Sequence, residues 1–156
     1  MLYRKRAWDI MRGEVPEVRE DATLSLVIEV MLESLAHTPD NDCVLVKAKE
    51  GGLAGVITMR SIVQAMGPDL LKKTSGTRDE ANYEKSFRLA CQLGAQTGIK
   101  KIISKDIPRI RPSDTLVRII EVFLDYNRSR AVVEEGDKVM GIVLLADVYR
   151  EIARNI

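Results

Sequence analysis

Histidine and cysteine are nearly missing from this chain, with one His and two Cys in 156 residues. Cys43 and Cys91 lie far apart, and neither has a histidine or a second cysteine at ligand spacing. A zinc site and a redox pair are therefore not expected, and both thiols read as reduced and packed. His37, the single histidine, falls at the end of a predicted helix, where a cation suits the helix dipole. Aromatic residues make up 4% of the chain, with two Phe and one Trp, too few for a base-stacking platform. Charge of one sign is also lacking: 24 Lys and Arg stand against 23 Asp and Glu, for a formal charge of +1. No surplus exists to hold a polyanion, so no nucleic-acid partner is expected, and the basic cluster Tyr3-Arg4-Lys5-Arg6 reads as a solvated end. There is no apolar run of the roughly 18 residues a membrane span needs, nor a leader-like apolar stretch near Met1, so a cytoplasmic protein is expected. Neither GxSxG, HExxH nor GxxxxGK[ST] occurs, and an enzyme is not expected.

What is present is a core-forming composition, 46% apolar, and an internal repeat. The segment TLSLVIEVMLE from Thr23 to Glu33 returns as TLVRIIEVFLD from Thr115 to Asp125, and VPEVR from Val15 falls at the same offset on IPRIR from Ile107. Further on, GVITMRSIVQAM from Gly55 matches GIVLLADVYREI from Gly141. In the first copy Leu24, Val27, Ile28, Met31 and Leu32 form one helical stripe, repeated by Leu116, Ile119, Ile120, Phe123 and Leu124, which predicts a core-facing helix in each unit. CVLVKAK and LAGVIT around a glycine turn, and RAVVE and KVMGIVLL around another, each predict a hairpin. A short helix closes each unit, through Ile62, Val63 and Met66 or Val148, Tyr149 and Ile152. The expected class is α+β, two β-α-β-β-α repeats (1–67 and 99–156) packed through their sheets, because a three-stranded sheet with two helices is marginal alone.

The stretch 68–98 falls outside the repeat. It reads as a loop followed by an amphipathic helix, capped by Thr77 with Glu80 and carrying Tyr83, Phe87, Ala90 and Cys91 on one face. Such a helix is either a connector lying on the pair or a surface for a partner.

Taken together, the AWDIM segment, the paired VPEVREDATL and IPRIRPSDTL segments and the junctions GVITMRS and GIVLLAD resemble tandem cystathionine-β-synthase-type (CBS) domains, the Bateman module, over nearly the whole chain. The resemblance implies a non-catalytic regulatory module that binds AMP, ADP, ATP or S-adenosylmethionine in clefts between the units, and that pairs into a homodimer. In such modules a hydroxyl at the strand-to-helix junction holds phosphate and an Asp three residues later holds ribose.

Here that pattern is split: Thr58 is followed by Ser61 where the Asp belongs, whereas Leu144 replaces the hydroxyl ahead of Asp147. A strand entering a helix at Thr58 suits either a plain cap or an anion contact. The expected sites are Asp147 for ribose, with Arg128, Arg130, Lys101 or Lys105 supplying charge for phosphate, and Thr58 with Ser61 as a weaker half-site. Two functions remain open: a ligand sensor that signals to a regulated protein partner, and an interaction scaffold that has lost its ligand.

Overall fold

The computed structural model describes residues 5–74 and 79–156, so Thr77, Tyr3 and Arg4 lie outside the described residues. The first repeat contains β1 (Glu17–Arg19), α2 (Leu24–His37), β2 (Cys43–Lys47), β3 (Leu53–Thr58) and α3 (Met59–Thr74), preceded by the short α1 (Ala7–Ile10). The second contains β4 (Arg109–Ile110), α5 (Leu116–Tyr126), β5 (Arg130–Glu135), β6 (Lys138–Leu144) and α6 (Leu145–Ala153), with α4 (Glu80–Ala95) between them. The expected β-α-β-β-α order is present twice.

The sheets have the same order, β1-β2-β3 and β4-β5-β6, with the first pair parallel and the second antiparallel. Even the ladder irregularity recurs, between Val46 and Lys47 and between Val133 and Glu134. Strand β2 is an almost unbroken apolar run because both its faces are covered. Val44 and Val46 pack under α2 with Val18, Val27 and Ile57. Cys43 and Leu45 face the other sheet, where they meet Val132, Ile142 and Leu144. That shared layer joins the repeats through their sheets, each fully buried Val or Ile contributing about 1.5–3 kcal/mol gross.

The opening segment of each repeat lies on the other repeat. Ala7, Ile10 and Met11 pack into the second core, with Ile119 and Phe123, while Ile99, Ile102 and Ile103 pack into the first, with Val27 and Ile57. Antiparallel bridges fix the exchange at matched positions: Arg6 to Thr115 and Arg12 to Ile142, Gly98 to Thr23 and Ser104 to Val56. Two glycines make the close approach possible, since a Cβ on Gly55 would collide with the Ser104 carbonyl and one on Gly141 with that of Arg12. Positions 12 and 104 are thus structural equivalents.

Four local expectations are corrected. Helix α3 is not short: it continues through Gly67 and Pro68 to Thr74, where a loop was expected. Its second half packs against α4, with Met66 close to Gly94, and this tertiary contact outweighs the backbone hydrogen bond that proline removes. Asp79 caps α4, its side chain accepting from the Ala81 N–H. Of the helical stripes, Leu24, Val27, Met31, Leu116, Ile119 and Phe123 are buried, but Leu32 and Leu124 are 65% and 76% exposed. Lys5 and Arg6 are not a solvated end, because Lys5 Nζ lies 2.6 Å from the buried Glu151 carboxylate and Arg6 donates to the Ser113 carbonyl at 3.0 Å.

Candidate functional site

The segment exchange creates two pseudo-equivalent junctions, one beside the start of α3, which opens on a cleft, and one beside the start of α6, where the side chains of Arg12, Asp40, Asp147 and Arg150 meet. At the first, β3 ends in Thr58 and Ser61 sits one turn into α3. The Thr58 N–H donates to Ser61 Oγ and the Ser61 N–H to Thr58 Oγ1, both at 3.2 Å, a reciprocal cap that sets the angle of the helix. The Met59 N–H donates to the Asp42 carboxylate at 3.2 Å. The chain's own carboxylate therefore already occupies the anion position that the sequence pattern leaves for a ligand.

In front of this junction lies a cavity of about 750 Å³, within the range of small-molecule sites. Thr58, Arg60, Ser61, Gln64 and Ala65 line one wall, Lys101, Ile102, Ser104 and Asp106 a second, and Asn127 to Arg130 a third, with Asp42 and Leu145 at the margins. Three separate parts of the chain contribute, and the exchange of opening segments is what delivers Lys101 and Ser104. Arg130 Nη2 donates to Asp42 at 2.6 Å, and Arg128 Nη2 to Asp106 at 2.6 Å. Arg130 Nε is buried without a hydrogen-bond partner among the described residues. Arg60 and Lys101 enter no ion pair among the described residues, which leaves two uncompensated cations at the cavity. Beside Arg130, burial pushes the Cys43 thiol up to about 12, with the Arg130 cation opposing and Asp42 adding to the rise.

The second cleft is built differently. Asp147 accepts the Leu144 N–H at 3.0 Å, capping α6, and receives Arg12 Nε at 3.2 Å and Nη2 at 2.7 Å. The same guanidinium donates to Asp40 through Nη1 at 2.5 Å and Nη2 at 2.8 Å. Arg150 completes the cluster, bonding Asp147 at 3.2 Å and Asp40 at 3.1 Å. The hydrogen bond from Arg12 holds the Asp40 carboxyl well below the usual carboxylate range, helped by Arg150 and opposed by desolvation, and the paired carboxylates raise the Arg12 guanidinium.

The grouping expected from sequence is therefore rearranged. Arg128, Arg130 and Lys101 line the cavity with Thr58 and Ser61, and Asp147 lies outside it, tied to Arg12. Lys105 is exposed and does not line the cavity, although its neighbours Ser104 and Asp106 do. Sequence reading missed Asp42, Arg60, Gln64, Ser104 and Asp106 as lining residues, and Arg12 and Asp40 as partners of Asp147. The matched offset of positions 12 and 104 was the available signal.

Two stretches of the chain, 7–68 and 99–154, match the sequence model of the CBS domain. The chain belongs to the CBS-domain family. This CBS pair shares its fold with the CBS domain of a CBS domain-containing membrane protein from Sphaerobacter thermophilus, at 23% identity and a TM-score of 0.76, covering 96% of this chain and 88% of that one. An uncharacterized conserved protein from Pyrococcus horikoshii matches at 15% identity and a TM-score of 0.68, over 100% and 98% of the two chains. The cytosolic domain of the Mg2+ channel MgtE, solved in complex with ATP, matches at 21% identity and a TM-score of 0.63, over 95% of this chain and 49% of that one. At these identities the likeness is one of fold. No curated protein matches the chain. CBS pairs are generally regulatory, non-catalytic modules. Among the described residues, no helix is long and apolar enough to cross a membrane, and no cluster of three metal-ligating side chains occurs.

Proposed function

We propose that this CBS pair is a non-catalytic sensor that binds a phosphate-bearing adenosine ligand, of the AMP, ADP or ATP class, in the cleft between Thr58 and Arg128. The observation that carries the reading is the 750 Å³ cavity with Arg60 and Lys101, unpaired among the described residues, at its walls and two further arginines beside them. Each charge-assisted hydrogen bond to a phosphate is worth on the order of 1.5–3 kcal/mol, or ten- to a hundredfold in affinity. The same cations oppose a sulfonium, so S-adenosylmethionine is the weaker candidate. Asp42 stands at the cavity margin with its carboxylate already paired to Arg130 and the Met59 N–H, so Ser61 remains the residue at the position of the family's Asp. The ATP complex of the MgtE cytosolic domain supports this ligand class.

Helix α3 carries Arg60, Ser61 and Gln64 along the cavity and Met66 onto α4 at Gly94, a direct route from ligand to connector. Exposed apolar side chains recur at equivalent positions of the repeats, Leu32 and Val63 in one and Leu124 and Tyr149 in the other. Such a paired face suits a homodimer with a second copy of the chain. The scaffold reading rests on Asp42 already filling the α3 anion position, and on Tyr83 and Phe87 stacked at 6.4 Å and partly exposed on α4 for a protein partner.

Thermal-shift titration with AMP, ADP, ATP, adenosine and S-adenosylmethionine tests the proposal. A ligand at a hundred times its Kd adds about 2.7 kcal/mol of stability. Phosphorylated ligands are expected to raise Tm and adenosine to do so less. No shift with any ligand at millimolar concentration would favour the scaffold.

A further inference from the structure

We infer that Arg12 is the built-in occupant of the second cleft, so that the side chains at the equivalent positions 12 and 104 decide which cleft is open to a nucleoside. Backbone pairing makes the equivalence concrete. Arg12 exchanges hydrogen bonds with Ile142 at 2.8 and 3.1 Å, and Ser104 exchanges them with Val56 at 2.8 and 3.0 Å. Glycine lies beneath each crossing, Gly141 under Arg12 and Gly55 under Ser104. From these matched backbones a short hydroxymethyl enters one cleft and a long guanidinium enters the other.

The guanidinium does there what a bound ligand would do. All three of its nitrogens are engaged, bridging Asp147 at the α6 junction to Asp40 on the loop before β2, across the two repeats. The carboxylate that would accept ribose hydroxyls is spent on the chain's own cation, and its side chain is only 11% exposed. At the cleft beside Ser104 the cross-repeat pair is Arg130 with Asp42, at the margin; Ser104 itself bridges no carboxylates among the described residues, and the 750 Å³ cavity lies there. One ligand per chain follows, and the charge of the two clefts differs: cations face the open one, while removal of Arg12 would leave Asp40 and Asp147 facing the other with Arg150.

An uncharged nucleoside is the probe for an acid-lined cleft, and AMP is the probe for the open one, a choice of ligand that rests on the function proposed above. Amide NMR spectra of wild type, Arg12→Ser and Ser104→Arg are titrated with adenosine and with AMP. In wild type, shifts are expected at 58–61 and 101–104 and not at 147–150, the stretch of α6 that lies outside the open cavity. Arg12→Ser should add adenosine-dependent shifts at 147–150, and Ser104→Arg should lose the AMP response at 58–61 by tenfold or more in affinity. Thermal melts confirm that each variant is folded. If Arg12→Ser unfolds, Ser104→Arg together with the wild-type map still decides the matter. Wild-type shifts at 147–150, a folded Arg12→Ser without them, or a Ser104→Arg that binds AMP like wild type would each overturn the inference. A wild type that responds to neither ligand, with Arg12→Ser gaining the adenosine response, would instead remove the open-cleft reading and leave Arg12 as the plug.

Discussion

Replacing Gly55 by alanine puts a methyl group where the Ser104 carbonyl oxygen and the Ile103 side chain already stand. The obstruction is backbone, which cannot rotate aside, so the segment bearing Ser104 must lift. Overpacking of this kind costs about 1–3 kcal/mol. Weakening the two hydrogen bonds between Val56 and Ser104, at 3.0 and 2.8 Å, adds about 1 kcal/mol. The expected loss is therefore about 2–4 kcal/mol. Gly141→Ala meets the Arg12 carbonyl in the same way and strains the equivalent pair of bonds to Ile142, so its loss should fall in the same range. Gly67, in α3 with nothing within 4 Å of the place an alanine methyl would take, supplies the contrast: Gly67→Ala should stabilise by about 0.5–1 kcal/mol through helix propensity. Urea denaturation, comparing midpoints at constant slope, reads all three. A Gly55→Ala or Gly141→Ala protein within about 0.5 kcal/mol of wild type, the scale of an ordinary surface substitution, would refute the segment exchange as the feature that builds both clefts.

Three further outcomes follow from the geometry. Burial raises the Cys43 thiol to about 12, so the folded chain keeps its proton where the unfolded chain loses it. Stability from this group is present below the unfolded thiol value of 9.0 and is lost as pH rises from there towards 12. Urea denaturation from pH 7 to 10 should therefore show a steeper alkaline decline in wild type than in Cys43→Ala, and equal slopes would contradict it. Asp40 has a depressed folded value, so its contribution is present above the unfolded value of 3.8 and lost as pH falls through the folded one. Asp40→Asn should be less stable than wild type at neutral pH, with the gap closing in acid, and a gap independent of pH would count against the Arg12 pairing. If Leu124 and Tyr149 lie in a homodimer face, the double substitution Leu124→Glu, Tyr149→Glu should yield monomers by sedimentation, and a wild type already monomeric at high concentration would exclude that face.

The repeat was legible because each unit must bury the same stripe against the same sheet, and that requirement leaves the spacing of Val27 and Ile119, or of Gly55 and Gly141, in the chain. Periodicity could not separate Leu24 from Leu32, since a helix packed on a sheet on one side leaves part of its apolar stripe facing outward. Gly67-Pro68 reads locally as a stop, and only the neighbouring α4 explains why α3 continues. At the site, the types Thr58, Arg128 and Arg130 were found from chemistry, but their grouping depends on which opening segment crosses to which repeat. Arg12 sits in MRGE without any local pattern, and its pairing with Asp147 spans 135 positions along the chain, so no short window contains it.

Titration calorimetry of AMP into wild type and Lys101→Glu tests the central claim most directly. Lys101 lines the open cleft as an exposed cation, unpaired among the described residues, so reversing its charge should leave the fold intact. One AMP per chain is predicted for wild type, with affinity at least about tenfold weaker in the variant. Absence of binding in wild type at millimolar AMP, or the same affinity in both proteins, would contradict it.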